Sequence, residues 1–138
     1  MKSMMKPPLE IQFTDVGEIR MGSPYNHARI AIAGRWNPGL NGTGFQDIAG
    51  WSSDYRYAGL VKWDVQAGNP GFYVYVLDCM KQSVTKSDRI EGCCKSLEFN
   101  PDQLIYHSFI GFDKPITGAI SLRTSQDDKQ RKIKFIQM

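Results

Sequence analysis

The chain has 138 residues, of which 41% are hydrophobic and 22% charged, and a net charge of +3. That length suits one domain with its own core, and the composition argues against a largely disordered chain. The mild charge argues against a dedicated nucleic-acid binder, and no apolar run reaches the ~18 residues of a membrane-crossing helix.

Met1–Pro8 carries charge but neither an apolar run nor a cleavage site, and reads as a loose tail before a single β domain over 9–138. Leu9-Glu-Ile-Gln-Phe13 alternates apolar and polar residues, the period of a half-buried strand. Thr14–Gly17 reads as a turn and Glu18–Met21 as a short strand. Gly22-Ser-Pro-Tyr-Asn26 then breaks regular structure. Arg29–Ala33 reads as a strand with Ile30 and Ile32 on one face.

The stretch Gly34–Gly50 holds five glycines, Pro38 and two asparagines, and reads as one long loop ending in Phe45-Gln-Asp-Ile48. It is not a phosphate loop, because no Gly-Lys-Ser/Thr follows. Long loops in compact domains are often functional. The binding surface is therefore expected here, with Arg35 and Trp36 as a charged residue and an aromatic anchor.

Trp51–Asp78 carries the strongest strand signals of the chain. Ser52-Ser-Asp54 suits a turn, since these side chains bond the local backbone. Tyr55–Trp63 follows as a strand with Tyr57, Gly59, Val61 and Trp63 on one face, and Phe72–Asp78 is apolar at nearly every position. Such a run fits a strand covered on both sides. The two form a hairpin across Gly68-Asn-Pro-Gly71.

Lys81-Gln82 reads as a tight turn into an edge strand, Ser83–Ser87. Ile90–Cys94 reads as a bend, and Lys95–Phe99 as a strand with Leu97 and Phe99 inward. Asn100-Pro-Asp-Gln103 is a turn before a strand over Leu104–Phe109. Ile116–Leu122 and Ile133–Ile136 form a terminal hairpin across a charged loop. Trp51–Tyr57 echoes Phe99–Tyr106: an aromatic residue, a polar turn with Asp, then a Tyr-bearing strand. The run from Ser52 to Phe99 has a strand-turn-strand rhythm similar to that of a propeller blade, but a closed propeller needs at least ~4 blades, too many for this length. The expectation is an all-β antiparallel meander forming a β-sandwich, curled sheet or open barrel with little helix. Leu60, Val74, Val76 and Leu97 are expected in its core.

The three cysteines, Cys79, Cys93 and Cys94, make no disulfide framework, and a reducing cytoplasm is the simplest fit. Cys93 and Cys94 with His27 and His107 lack the paired spacing of a zinc site. Cys93 or Cys94 with His107 is a candidate nucleophilic pair, and would need a thiolate in an open, electropositive setting. Turn formation accounts for Asp47, Asp54, Asp64 and Asp78 without catalysis. No cofactor motif is found. The density of aromatics, with Arg56 between Tyr55 and Tyr57, is the more unusual feature.

These features point to a non-enzymatic protein-binding domain of the kind a small bacterial inhibitor or immunity protein represents. Arg35, Trp36, Tyr55 and Arg56 would contact a partner protein, such as a toxin or an enzyme, with no role for nucleic acid or membrane. The alternative is a carbohydrate-binding sandwich using Trp36 and Trp51.

Overall fold

The structure is a computed structural model that describes residues 6–18, 26–66, 69–110 and 114–122. Among the described residues ten strands run in chain order: β1 (Leu9–Glu18), β2 (Asn26–Gly34), β3 (Gly42–Trp51), β4 (Tyr57–Gln66), β5 (Asn69–Asp78), β6 (Ser83–Lys86), β7 (Ile90–Glu91), β8 (Cys93–Phe99), β9 (Gln103–Ile110) and β10 (Lys114–Ser121). The first six form an antiparallel meander in sequence order, and β7 continues the β6 edge along β5. Strands β8, β9 and β10 form a second antiparallel sheet. The large sheet curls without closing into a barrel. The described residues contain no helix, and so none long and apolar enough to cross a membrane.

The expected hairpin is the regular centre of the molecule. Strands β4 and β5 pair without interruption from Tyr57↔Asp78 to Gln66↔Asn69. Period two then sends alternate residues to opposite faces. Val61, Phe72, Val74 and Val76 face the small sheet, where they meet Cys94, Leu104 and Leu122. Ala58, Leu60 and Leu77 face the inside of the curl and pack with Leu9, Ile30, Ile32, Phe45 and Cys79. Both faces of this hairpin are therefore core. Leu60, Val74 and Val76 are buried as expected, and Leu97 packs half-buried at the margin of the sandwich layer.

Close packing between and within the sheets rests on missing side chains. A Cβ on Gly59 would lie 2.6 Å from Leu104 Cδ1 and 3.1 Å from Leu97 Cδ1. A Cβ on Gly118 would lie 2.1 Å from the Tyr106 ring, which itself packs edge-on against Phe72.

Four readings are corrected. Ile90–Cys94 is not a bend but holds β7 and the start of β8, and Asn69–Gly71 belong to β5 rather than to a turn. Gly34–Gly50 is not one loop: the connection spans only residues 35–41, and Gly42–Gly50 lies within β3. The glycines mark irregular pairing rather than its absence. Gly42 and Gly44 have φ of 146° and 91°, and the register slips on both sides of β3. Thr14–Gly17 is likewise a bulge inside β1, with Asp15 at φ 53°, rather than a turn between two strands. Of the other expected elements, residues 19–25, Gly68 and Ile133–Ile136 lie outside the described residues.

Candidate functional site

Two turns sit side by side where the central hairpin begins and ends. The first, Ser52–Arg56, joins β3 to β4 and is held by its own side chains. Ser52 Oγ donates to Asp54 Oδ1 (2.7 Å), while the Tyr57 amide donates to Ser52 Oγ and the Arg56 amide to Asp54 Oδ1. The Ser52 hydroxyl, with help from that amide and the Arg56 charge, holds the Asp54 carboxyl below the usual carboxylate range against a partial desolvation. The second turn, Cys79–Gln82, leaves β5. Asp78 Oδ1 accepts the amides of Met80 and Lys81.

Arg56 ties the turns together. Its guanidinium meets the Asp78 carboxylate through two bonds of 3.0 Å, and its carbonyl accepts the Cys79 amide at 2.8 Å. Both side chains are substantially shielded, and the fork geometry fixes orientation as well as charge. The guanidinium also lies 4.8 Å from the centre of the Tyr57 ring. Tyr55 adopts φ 61° and Gln82 φ 54°, so each turn holds a non-glycine residue in the left-handed region. Tyr55 packs edge-on to Trp51, with ring centres 5.9 Å apart. Met80, at the tip of the second turn, is half exposed and is one of two exposed large hydrophobic residues among those described.

The four expected contact residues are placed differently from one another. Tyr55 and Arg56 lie in this turn pair. Arg35 is exposed, and its amide is bonded to the Pro8 carbonyl. Trp36 packs against the concave core rather than standing clear of it. Its indole lies against the Cys79 thiol, though not in a geometry that gives the buried Nε1–H a hydrogen-bond partner. Burial raises the Cys79 thiol and the Asp78 charge adds to that, partly offset by the indole. Trp36 thus reaches the turn pair from inside, behind Cys79. Sequence reasoning missed Asp78 and Met80 as partners of this site. The hairpin register was the available signal, because pairing Tyr57 with Asp78 brings Arg56 beside residues 78 and 79.

Cys94 and His107 do not form the expected pair. Cys94 is buried on the inner face of β8, and burial pushes its thiol up to about 12. His107 lies on the outer face of β9, between Glu98 (2.6 Å) and Thr117 (3.3 Å). Among the described residues, no three His, Cys, Asp or Glu side chains gather as a metal site would require. Asp64 is committed to Arg89 and Tyr73.

One buried polar group has a structural task. Gln46, on β3, donates its Nε2 to the Cys94 carbonyl (2.9 Å) and accepts the Cys94 amide at Oε1 (3.3 Å). Its side chain thereby pairs with the outer edge of β8 as a neighbouring strand would. The chain matches no protein-family model, no curated protein and no solved structure, so the turn pair stands on its own residues.

Proposed function

We propose that this chain is a non-enzymatic protein-binding domain, of inhibitor or immunity type, acting in a reducing compartment such as the cytoplasm. The partner docks on the paired turns, with Tyr55 and Met80 as the apolar contacts and Arg56 as the brace behind them. The observation that carries this reading is Tyr55 at φ 61°. Glycine or asparagine adopts that backbone readily, whereas a bulky residue there costs about 1–2 kcal/mol. A tyrosine kept at such a cost, in a turn that side chains already lock, is there for its ring. Tyr, Trp, Met and Arg are also the types enriched at protein interfaces, and a pre-locked turn loses little freedom on binding. A sugar platform would require an open indole face, whereas Trp36 and Trp51 both pack against the concave core.

The test is Tyr55→Gly, compared with the parent protein in recovery of a stoichiometric partner chain from producing cells. Relief of strain should leave stability unchanged or raise it by up to ~1 kcal/mol. Binding should weaken by more than ~2 kcal/mol. A variant that loses stability and keeps its partner would show that the ring serves only to pack on Trp51.

A further inference from the structure

Open sheets leave edges, and three of the four edges among the described residues are visibly defended. The β6 edge is four residues long, ends at Lys86, and is interrupted before β7. Strand β10 begins Lys114-Pro115, a charge and a residue without an amide donor. The outer edge of β8 is occupied at Cys94 by the Gln46 side chain. Strand β1 differs. Its second half is blunted by the Asp15 bulge and the Arg29–Asp15 pair. Its first half, Leu9–Phe13, pairs regularly with β2 and carries no Lys, Pro or bulge.

The phase of the ladder shows which groups face outward. The Arg35 amide bonds the Pro8 carbonyl, so Pro8 is a hydrogen-bonded position of the pair. In an antiparallel ladder such positions alternate. Glu10, Gln12 and Thr14 therefore turn their amides and carbonyls toward β2. Leu9, Ile11 and Phe13 turn theirs away from it, and no hydrogen bond among described residues occupies them. The side chains of Ile11 and Phe13 are half-buried at the margin of the concave core.

This five-residue edge is complementary to itself. We infer that the Leu9–Phe13 edge of β1 pairs antiparallel with the same edge of a second copy of this chain, about a two-fold axis through Ile11. Ile11 then faces its own copy, Leu9 faces Phe13, and all three present outward backbone groups to each other. Glu10 faces Gln12 of the other copy. The Gln12 amide, which bonds Glu10 within one chain at 3.0 Å, can bond it across the axis instead. No two like charges oppose one another. Leu9, Ile11 and Phe13 of both copies fall on one face, so the two concave cores become continuous.

The experiment is sedimentation equilibrium of the full chain, with two variants on the exposed side of β1. Gln12→Glu opposes two acids at each of two symmetric pairs and should weaken the dimer about tenfold. Adding Glu10→Lys to that variant sets opposite charges against each other at both pairs and should restore the dimer. Circular dichroism checks that each variant keeps its strands. Hydrogen exchange of the parent protein gives a second measure that needs no variant. The amides of Leu9, Ile11 and Phe13 should gain protection with concentration, while those of Glu10 and Gln12 are protected throughout. A parent protein that stays monomeric up to ~1 mM, or a charge reversal that fails to restore what Gln12→Glu removes, overturns the pairing. So does concentration-independent exchange at Ile11.

Discussion

The large sheet has two apolar faces, and they are sealed in different ways. On the sandwich side a second sheet lies over β3, β4 and β5, close enough that Gly59 has no room for a methyl group. On the concave side the sheet packs on itself, β1 to β3 against β4 and β5, and the remaining cover includes the loop side chains Trp36 and Leu40. A sheet is held by its ladder and cannot follow a lost atom. A loop side chain can. Equal burial therefore need not mean equal cost, because the penalty for a deleted side chain depends on how far its surroundings collapse.

A matched pair of deletions puts this contrast to its strongest test. Phe72 and Phe45 are both fully buried, one on each face. Phe72→Ala should cost about 4–5 kcal/mol and Phe45→Ala about 3 kcal/mol, measured by chemical denaturation. The reverse order would mean that the concave side is the stiffer one. The next largest effect is expected from overfilling. Gly59→Ala should cost ~1–3 kcal/mol, because the Leu104 and Leu97 methyl groups must both move. Trp36→Ala tests the loose cover itself. It should cost ~1–2 kcal/mol, below the usual range for a buried tryptophan, since an unpartnered Nε1–H leaves the interior with the ring. A full loss of ~4 kcal/mol would show that the loop packs as rigidly as a sheet.

The smallest effect concerns pH. The Asp54 carboxyl is held below its unfolded value, so its contribution is present above the unfolded pKa and is lost as pH falls through the folded one. Stability should therefore decline below about pH 4, and Asp54→Asn should flatten part of that decline in thermal melts. The residue is exposed, so solvent screening keeps the effect slight. An identical pH profile in the variant would assign the turn's order to Ser52 alone.

The central hairpin could be read from residues because alternation is a local property. Every second residue from Tyr57 to Val61 and from Phe72 to Val76 faces the second sheet. The region from Gly34 to Gly50 misled for a local reason too. Glycine lowers strand propensity, and only the neighbouring strands supply the pairing that overrides it. Placement of the aromatics was beyond local reading altogether. Trp36 and Tyr55 look alike as aromatic residues near turns, yet one fills the concave core and the other stands on a strained turn. Whether such a ring packs or projects is decided by residues elsewhere in the chain, here Cys79 for Trp36 and Trp51 for Tyr55. In the echo between Trp51–Tyr57 and Phe99–Tyr106 each turn is held by a side-chain oxygen, but from different places in the motif. Asn100 Oδ1 accepts the Asp102 and Gln103 amides much as Asp54 accepts that of Arg56.

Gln46 fastens the edge of β8 to the large sheet through one side chain. Because its amide stands where a strand would, the Cys94 amide proton should exchange with solvent as slowly as those inside the ladders, although its acceptor is a side chain. The carboxamide adds a polar fastening to the apolar layer between the sheets, and it can be removed without disturbing either ladder. Gln46→Leu would keep the bulk, release the Cys94 proton early, and let the small sheet breathe as a unit apart from the meander.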